Sequence, residues 1–470
     1  MIVIKIIVVV VGMALSIFLF RKAASTIDIG KINVISYIMY LFLAQTMIGA
    51  SLVYLGDHNH YTMGYALNQA SFDIMYYSVL ATSILFPVTI LVIHKLLRFN
   101  MKECYAGYLA KPTNVNFEKK IFWVVAVIGI LCVGFLMLYM IAIYRKVHYF
   151  PIFRLLRTPE GFEMGVERQL ISSVAPLGER ITNLTLHLGL PLLSYVAFAY
   201  AWALKKSVRW WIAAVVLIGS SVLALTSNFE KSPVIFYLFV LLLIILYIRG
   251  RLPKLLVWAF IGMIVLYMIF IYGKNGFDFS QGIDIYNGPI GRTLFTQVGT
   301  LVLHFDLFPG ILPFLDGRSL SPTAMNILGI DGSSVRSGKV VMDFYGSEKV
   351  YDGTGGVMNT LFIGEAYANF NYIGMVFSIL YVAAFIALFV FVFLKLQKNP
   401  FNIAIFAFLT SRFAQTTQSG FTDFIYNFQF LLVFLLVLAV NLFPKIWNKH
   451  IGPRISGRKK EKLSKQEESA

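Results

Sequence analysis

Apolar segments of about 20 residues recur along the whole chain and alternate with shorter polar stretches. A helix of about 20 residues is long enough to cross the roughly 30 Å hydrocarbon core of a bilayer. The pattern therefore predicts an all-α integral membrane protein with about 11 transmembrane helices. The predicted spans are residues 2–20, 33–55, 73–94, 121–144, 184–204, 210–228, 233–248, 255–272, 373–394, 400–418 and 425–443.

The longest polar stretch lies between the eighth and ninth predicted spans, at residues 273–372. It predicts a large extracytoplasmic loop that separates an N-terminal block of helices, 1–272, from a C-terminal block, 373–443, which a basic tail follows at 444–470. Apolar side chains recur at helical spacing within this loop after Arg292. They are Leu294, Phe295, Val298, Val302 and Phe305. We expect an amphipathic helix there, on or in the outer interface of the membrane.

The composition agrees with a membrane protein. Hydrophobic residues make up 58% of the chain and charged residues 13%, whereas soluble domains average roughly 45–50% and 25%. The first apolar run lacks a small-residue cleavage site and is expected to be retained as a helix. Cys104 and Cys132 fall in an inner loop and within the membrane, so no disulfide is expected. No cluster has zinc-ligand spacing, and no metal is predicted.

The formal net charge of +17 is unevenly distributed. Most of the 40 Lys and Arg residues fall in alternate loops, which the positive-inside rule assigns to the cytoplasm. These loops are residues 21–32, 95–120, 205–209, 249–254, 395–399 and 444–470. The N-terminus is then outside, and the C-terminus is cytoplasmic. The distribution indicates a topology signal beside anionic membrane lipids, so no nucleic-acid partner is expected.

Two arginines in the second predicted outer loop are unusual, because outer loops normally avoid positive charge. Arg154 and Arg157 are three residues apart and share one face of a helix. A pair of guanidinium groups suits a pyrophosphate, since each offers a fixed fork of donors. The alternative is ion pairing with nearby carboxylates. These are Glu160, Glu163 and Glu167.

The third outer connection is a tight turn that contains Lys231, Ser232 and Pro233. Pro233 suits the first turn of a helix and Ser232 suits its cap. A lysine at that position opposes the helix dipole and raises the local positive potential. An anionic ligand would relieve this potential, and Glu230 could neutralise it instead.

The large loop and the tenth predicted span hold further candidates. Arg292, Arg318 and Arg336 are cations on the predicted outer side, and Arg412 lies late in the tenth span. Intramembrane ionisable residues are functional candidates, although Arg412 could also snorkel to the interface. The remaining candidates are polar or aromatic side chains. His304, Asp306 and Glu365 could serve as a general base, and Tyr345 and Tyr367 could stack on sugar rings or pack in the core.

The run Gly364-Glu-Ala-Tyr-Ala-Asn-Phe370, which leads into Tyr372-Ile-Gly374, resembles the entry to a late helix in the O-antigen and oligosaccharide repeat-unit polymerases. That family favours Gly-Glu-Ala-Tyr-x-Asn-Phe-Gly, and here Asn371 replaces the last glycine. Arg154 and Arg318 each precede a glycine in an Arg-x10-Gly pattern that some members carry in two outer loops. The layout of spans, the Lys-Ser-Pro turn and the large loop extend the resemblance over most of the chain.

The resemblance implies a GT-C-like architecture in the bacterial inner membrane, with the active site on the periplasmic side. Its substrates would be undecaprenyl-pyrophosphate-linked oligosaccharides, with a chain-length regulator as a further partner. Undecaprenyl pyrophosphate would leave without any metal or cofactor. Its developing negative charge would be stabilised by cations. We predict catalytic roles for Arg154, Arg157, Lys231, Arg292, Arg318 and Glu365, and substrate binding by Arg336, Arg412, His304, Tyr345 and Tyr367.

Three other function classes stay open at this point. The related ligases transfer finished polymer to lipid A and share the architecture. A transporter of the same lipids would show internal repeats and charges deep in several spans. The sequence shows no such repeat, and its charges cluster on the predicted outer side. A structural membrane subunit would not need so many external arginines.

Overall fold

The computed structural model describes residues 2–115, 118–156, 164–230, 232–273, 284–286, 288–352 and 355–446. Its regular structure over these residues is entirely helical. The helices of the first half are α1 Ile2–Ala24, α2 Val34–Phe42, α3 Ile48–Tyr54, α4 Ala70–Leu96, α5 Met101–Ala110, α6 Glu118–Val147, α7 Pro151–Leu156, α8 Met164–Ser172, α9 Glu179–Thr182, α10 Leu190–Leu204, α11 Val208–Thr226, α12 Ser232–Arg249 and α13 Lys254–Gly273.

Eight helices follow in the second half. They are α14 Pro289–Leu307, α15 Pro322–Leu328, α16 Ser337–Tyr345, α17 Ser347–Tyr351, α18 Phe362–Lys395, α19 Pro400–Thr416, α20 Thr422–Ile425 and α21 Phe428–Ile446. Two π-helical segments interrupt the bundle, Leu43–Met47 between α2 and α3 and Asn183–Gly189 between α9 and α10. The described residues up to Tyr426 form one compact unit, and those from Asn427 onward form a second, in which α21 is an apolar helix of 19 residues.

Nine segments of the described chain are long and apolar enough to cross a membrane. They are Ile2–Lys31, Val34–Tyr54, Ala70–Leu96, Glu118–Val147, Glu179–Leu204, Val208–Thr226, Ser232–Arg249, Phe362–Lys395 and Thr422–Leu442. A helix occurs at each of the two remaining predicted spans as well. The described side chains of α13 form a shorter apolar helix, Lys254–Leu266, and α19 has 17 residues. The prediction of an all-helical chain with many helices long and apolar enough to span a membrane is confirmed for the described residues, and the count of eleven stays a prediction.

Polar contacts group the helix ends of the first unit into two sets. At one end, Lys5 Nζ donates to the Tyr54 carbonyl at 3.1 Å and lies 3.8 Å from Asp73, which joins the start of α1, the end of α3 and the start of α4. We call this the loop end. At the other, Lys398 Nζ donates to the Tyr108 carbonyl at 2.8 Å, which joins α5 to the connection before α19. We call this the basic end.

Helix α14 coincides with the predicted amphipathic helix but is not a surface helix. Phe295 and all residues from Val298 to Leu307 are buried, and the helix packs on α3, α4 and the π segment before α3. The backbones approach closely, since a Cβ on Gly49 would lie 1.9 Å from the Leu294 carbonyl oxygen. Apolar residues occupy most faces of α14 beyond Phe295, and this explains why it is inserted among the other helices.

Candidate functional site

A cavity of about 780 Å³ opens at the loop end and is lined mainly by polar side chains. Its walls come from the residues around Thr62, from α14, α16 and α17, from the start of α12 and from residues 356–359. The lining includes two cations, Arg292 on α14 and Lys349 on α17, and one carboxylate, Glu348, together with Gln297. We call it the Arg292 cavity. It is large enough for a small ligand, and its chemistry suits an anionic and hydroxyl-rich one.

Arg292 is the most available cation of this cavity. Its side chain is exposed and forms no ion pair with the described part of the chain. Its charge reaches the neighbouring His60, which is 1% exposed. Burial, followed by the positive charge of Arg292, lowers the pKa of His60 to about 4. His60 is therefore neutral at pH 7 and adds no second positive charge beside Arg292.

Two buried polar atoms of the Arg292 cavity lack a hydrogen-bond partner among the described residues. They are Gln297 Oε1 and Thr296 Oγ1, on adjacent positions of α14. Buried polar atoms are normally paired, because an unpaired one costs about 1–3 kcal/mol. A ligand with hydroxyl groups would supply the missing partners.

A second, smaller cavity of about 250 Å³ lies beside the start of α12. It is lined by Arg412 and Gln415 of α19, His187 of the π segment Asn183–Gly189, and Glu230. We call it the Arg412 cavity. Ser232 lines both cavities, so the two meet at the first residue of α12. The predicted site residue Lys231 is the neighbour of Ser232 in the chain and lies outside the described residues.

Arg336, by contrast, is held by two carboxylates. Its Nε lies 3.0 Å from Glu365 Oε1, and its two terminal nitrogens donate to the two oxygens of Asp423 at 3.0 Å each. Burial disfavours the charged form of Arg336, but the two carboxylates favour that form more strongly and raise the pKa of Arg336. Glu365 is 3% exposed and also accepts from the backbone N–H of Thr422 at 2.8 Å. This network joins α16, α18 and α20 at the loop end.

Gly420 makes the close approach in this network possible. A Cβ there would lie 2.3 Å from one terminal nitrogen of Arg336 and 2.7 Å from Glu365 Oε2. Asp423 also lies within electrostatic range of Arg412. The network is thus adjacent to the Arg412 cavity. Its alternating charges run from Glu365 through Arg336 and Asp423 to Arg412.

His304 and Asp306 are buried and fully engaged. His304 Nδ1 lies 2.7 Å from the Thr300 carbonyl, which can only accept, so Nδ1 carries the proton and Nε2 accepts from Ser337 Oγ at 3.1 Å. Burial lowers the pKa of His304 to about 4, against the opposing effect of the Thr300 carbonyl. Asp306 accepts from the backbone N–H groups of Leu67 at 2.9 Å and of Asn68 at 2.7 Å. Both side chains therefore connect α14 to its neighbours.

The two predicted tyrosines differ in position. Tyr345 lines the Arg292 cavity and donates to Asp306 Oδ2 at 2.5 Å; burial, followed by this contact, raises its pKa. Tyr367 is buried, donates to the Phe308 carbonyl at 3.1 Å and packs against Phe305 with ring centroids 4.6 Å apart. Tyr345 is thus placed to contact a ligand, whereas Tyr367 has the surroundings of a core residue.

Arg318 and Arg154 line neither cavity. Arg318 Nε donates to the Leu315 carbonyl at 3.3 Å, and the Arg318 carbonyl accepts from the Val335 N–H at 2.8 Å, one residue before Arg336. Arg154 lies over the ring of Tyr149, 4.7 Å from its centroid. The predicted pairing of Arg154 with Arg157 cannot be compared, because Arg157 lies outside the described residues.

The sequence pattern did not single out three residues of this region, Gln297, Lys349 and Asp423. Lys349 follows Glu348 and has the pattern of an ordinary surface residue, and Gln297 lies within an apolar helix. Asp423 begins no recognisable motif. Gln297 lies little more than one helical turn beyond Arg292 on α14, and only the packing of α14 makes that position meaningful.

The backbone of α18 breaks its helical geometry at Phe370 and Asn371. Asn371 has φ 59° and ψ −161°, a region that is occupied almost only by glycine. The amide oxygen of Asn371 accepts from the Tyr372 N–H at 2.6 Å. This is the position where Asn371 replaces the last glycine of the polymerase pattern, and glycine would adopt this conformation at lower cost.

Fold and composition together define a helical, multi-pass membrane protein with a polar, cation-lined site at one end of its helices. Among the described residues, no group of three or more His, Cys, Asp or Glu side chains is arranged to hold a metal ion. Comparison of the chain with protein-family models, with curated proteins and with solved structures finds no match. The resemblance to the repeat-unit polymerases therefore stays a prediction.

Proposed function

We propose that this protein polymerises undecaprenyl-pyrophosphate-linked oligosaccharide repeat units on the outer face of a bacterial inner membrane. The observation that carries the proposal is the pair of cavities that meet at Ser232. Arg292 lies in one, without an ion pair to the described chain, and Arg412 lies in the other. Two adjoining sites with cations suit a reaction between two lipid-linked substrates, each of which carries a pyrophosphate.

In the proposed reaction, a hydroxyl oxygen of the acceptor repeat unit attacks the anomeric carbon of the donor sugar. The bond between that carbon and the pyrophosphate oxygen breaks, and its electron pair stays on undecaprenyl pyrophosphate. The hydroxyl proton passes to solvent or to a general base. Negative charge develops on the departing oxygen, and guanidinium groups fixed beside it lower the barrier. Arg292 is the best supported for this role, with Arg412 and Lys231 close to the junction of the cavities.

The other predicted residues differ in how well their surroundings suit a role in this reaction. Tyr345 lines the Arg292 cavity and is suited to sugar hydroxyls, as are Gln297 and Thr296, which the sequence pattern did not single out. Glu365 is a buried ion-pair partner of Arg336, which favours a positioning role over that of a general base. His304, with a pKa of about 4, would be deprotonated at pH 7, but its two ring nitrogens are already engaged.

The direct test is to incubate the purified protein with a lipid-pyrophosphate oligosaccharide, without metal and without a nucleotide sugar. We expect a ladder of longer lipid-linked products and release of undecaprenyl pyrophosphate. Transfer of finished polymer to a lipid A acceptor instead would indicate a ligase, and movement of intact substrate across a vesicle membrane would indicate a transporter. Absence of longer products from a folded protein given both substrates would refute the polymerase proposal.

A further inference from the structure

Two further cavities lie side by side at the basic end, away from the site described above. The first has a volume of about 630 Å³ and lies between the end of α1, the end of α4 and the start of α5. The second has a volume of about 690 Å³ and lies between α5, residues 25–31 and the end of α12. Ser25 and Lys102 line both. The two cavities therefore meet at these residues.

The lining of both cavities is strongly basic. Its cations are Arg21, Lys22, Lys31, Lys95, Lys102, Lys111, Arg249 and Arg251, and no carboxylate of the described residues lines either cavity. The only ion pair of these cations with the described residues is between Arg251 and Asp28, at 3.4 Å. Like charges gathered around two adjoining cavities repel each other. A bound anion would remove that repulsion in both cavities.

His94 supplies a second, independent observation. It lines the first cavity, is 5% exposed, and its Nε2 has no hydrogen-bond partner among the described residues. A buried ring nitrogen without a partner is unfavourable. With its proton on Nε2, His94 would donate to a phosphate oxygen in the cavity.

The walls also include an apolar side. Phe18 lines the first cavity, is 51% exposed and lies beneath the ammonium group of Lys22, 4.4 Å from Nζ to the ring centroid. Leu91 of α4 lies in the same wall. Phe18 and Leu91 belong to helices that are long and apolar enough to cross a membrane. A ligand with phosphates and acyl chains fits this combination better than a free anion does.

We infer that the two cavities of the basic end form a binding site for an anionic phospholipid with two phosphates, one in each cavity, with its acyl chains along Phe18 and Leu91. Basic pockets between membrane helices are known to suit such headgroups. Lys102 contacts both phosphates, because it lines both cavities. Arg249 and Lys111 serve the second phosphate only. The inference is independent of the proposed polymerase activity.

The test is native mass spectrometry of the full-length protein in mild detergent, titrated with cardiolipin, phosphatidylglycerol, phosphatidylcholine or inorganic pyrophosphate. We expect cardiolipin to bind at least about tenfold more tightly than phosphatidylglycerol, because its second phosphate adds charge-assisted hydrogen bonds. Phosphatidylcholine should not bind specifically. Equal affinity for cardiolipin and phosphatidylglycerol would overturn the two-phosphate site. Pyrophosphate binding that excludes cardiolipin would overturn the lipid assignment.

Variants locate the site. Lys102→Gln should weaken cardiolipin binding about tenfold or more, and Lys102→Arg should retain it. Arg249→Gln should reduce the affinity for cardiolipin to that for phosphatidylglycerol, which also tests the site if Lys102→Gln does not fold. Lys119→Gln removes an exposed positive charge of the basic end that lines neither cavity, and it should bind like the wild type. Equal loss in Lys119→Gln and Lys102→Gln would show that only net charge matters.

Discussion

The Nε of Arg336 lies 3.0 Å from Oε1 of Glu365, whose side chain is almost fully buried. Removing one partner of a buried pair leaves the other charge uncompensated. We expect Arg336→Ala to lower the free energy of unfolding by about 3 kcal/mol, at the low end for buried pairs because Arg336 is about a third exposed. The midpoint of thermal unfolding in detergent measures this change.

The matched control lies on the same helix. Lys339 pairs with Asp343 at 2.6 Å, but both side chains are largely exposed. Lys339→Ala should therefore change the free energy of unfolding by no more than about 0.5 kcal/mol. If Arg336→Ala were as mild as Lys339→Ala, the pair with Glu365 would not stabilise the loop end.

Gly420 tests the same network from the backbone side. Gly420→Ala places a Cβ 2.3 Å from an Arg336 nitrogen and should destabilise the protein by about 1–3 kcal/mol through overpacking. Gly107 lies inside α5 with nothing within 4 Å of its added Cβ. Gly107→Ala should be neutral or stabilising by up to about 1 kcal/mol. Calorimetry or a thermal melt of the two variants gives the comparison, and a harmless Gly420→Ala would contradict the packing described here.

Asn371 holds a backbone conformation that glycine adopts at lower cost. Asn371→Gly should raise the free energy of unfolding by about 1 kcal/mol, and with it the unfolding midpoint. The substitution relieves strain of about 1–3 kcal/mol but loses one hydrogen bond to Tyr372. Asn371→Ala keeps the strain and loses the bond, so it should lower the midpoint. A glycine variant less stable than the wild type would show that the contact to Tyr372 outweighs the strain.

The sequence pattern predicted the helices well, because membrane helices carry a strong, local signal in their length and hydrophobicity. A helix occurs at each predicted span, and the helix after Arg292 is also present. Its environment was not predictable. Burial of α14 depends on Gly49 and Gly299, which permit close contact with residues far away in sequence. Long-range packing of this kind leaves no periodic signal.

The candidate site was predicted in part for the same reason. Charge on the expected outer loops pointed to Arg292, and charge within the tenth predicted span pointed to Arg412. The structure places both in cavities. The same reasoning could not separate them from Arg336, because the carboxylate of Asp423 that neutralises Arg336 is 87 positions away in sequence. Sequence shows where cations are, whereas pairing is decided by the tertiary fold.

Two buried histidines predict how stability depends on pH. The pKa of His60 and that of His304 are about 4 in the folded protein, below the ordinary value of 6.5. The unfolded chain therefore binds more protons between these values, and stability is lost as the pH falls from about 6.5 towards 4. We expect a loss of about 2 kcal/mol for each histidine at pH 5.

Melts in detergent at pH 7.5 and at pH 5 measure this dependence. His304→Gln should reduce the difference between the two midpoints, while His148→Gln, which changes an exposed ring, should leave it as in the wild type. An unchanged difference in the His304→Gln variant would show that this histidine does not contribute.

A catalytic arginine of the loop end is recognised by a variant that loses polymer formation while its unfolding midpoint stays unchanged. Arg292→Ala removes an exposed side chain, so the unfolding midpoint should stay within about 1 °C of the wild type. The rate of polymer formation should fall about 100-fold, since a donor to the departing pyrophosphate is lost. Lys119→Ala, at the opposite end, is the charge-matched control and should retain full activity.

The sequence pattern predicts that Arg318→Ala also abolishes the ladder. Arg318 lies outside both cavities, so comparing the two variants shows where the reaction takes place. Normal ladders from a folded Arg318→Ala variant would restrict the chemistry to the two cavities. Normal ladders from Arg292→Ala would remove the basis of the polymerase proposal.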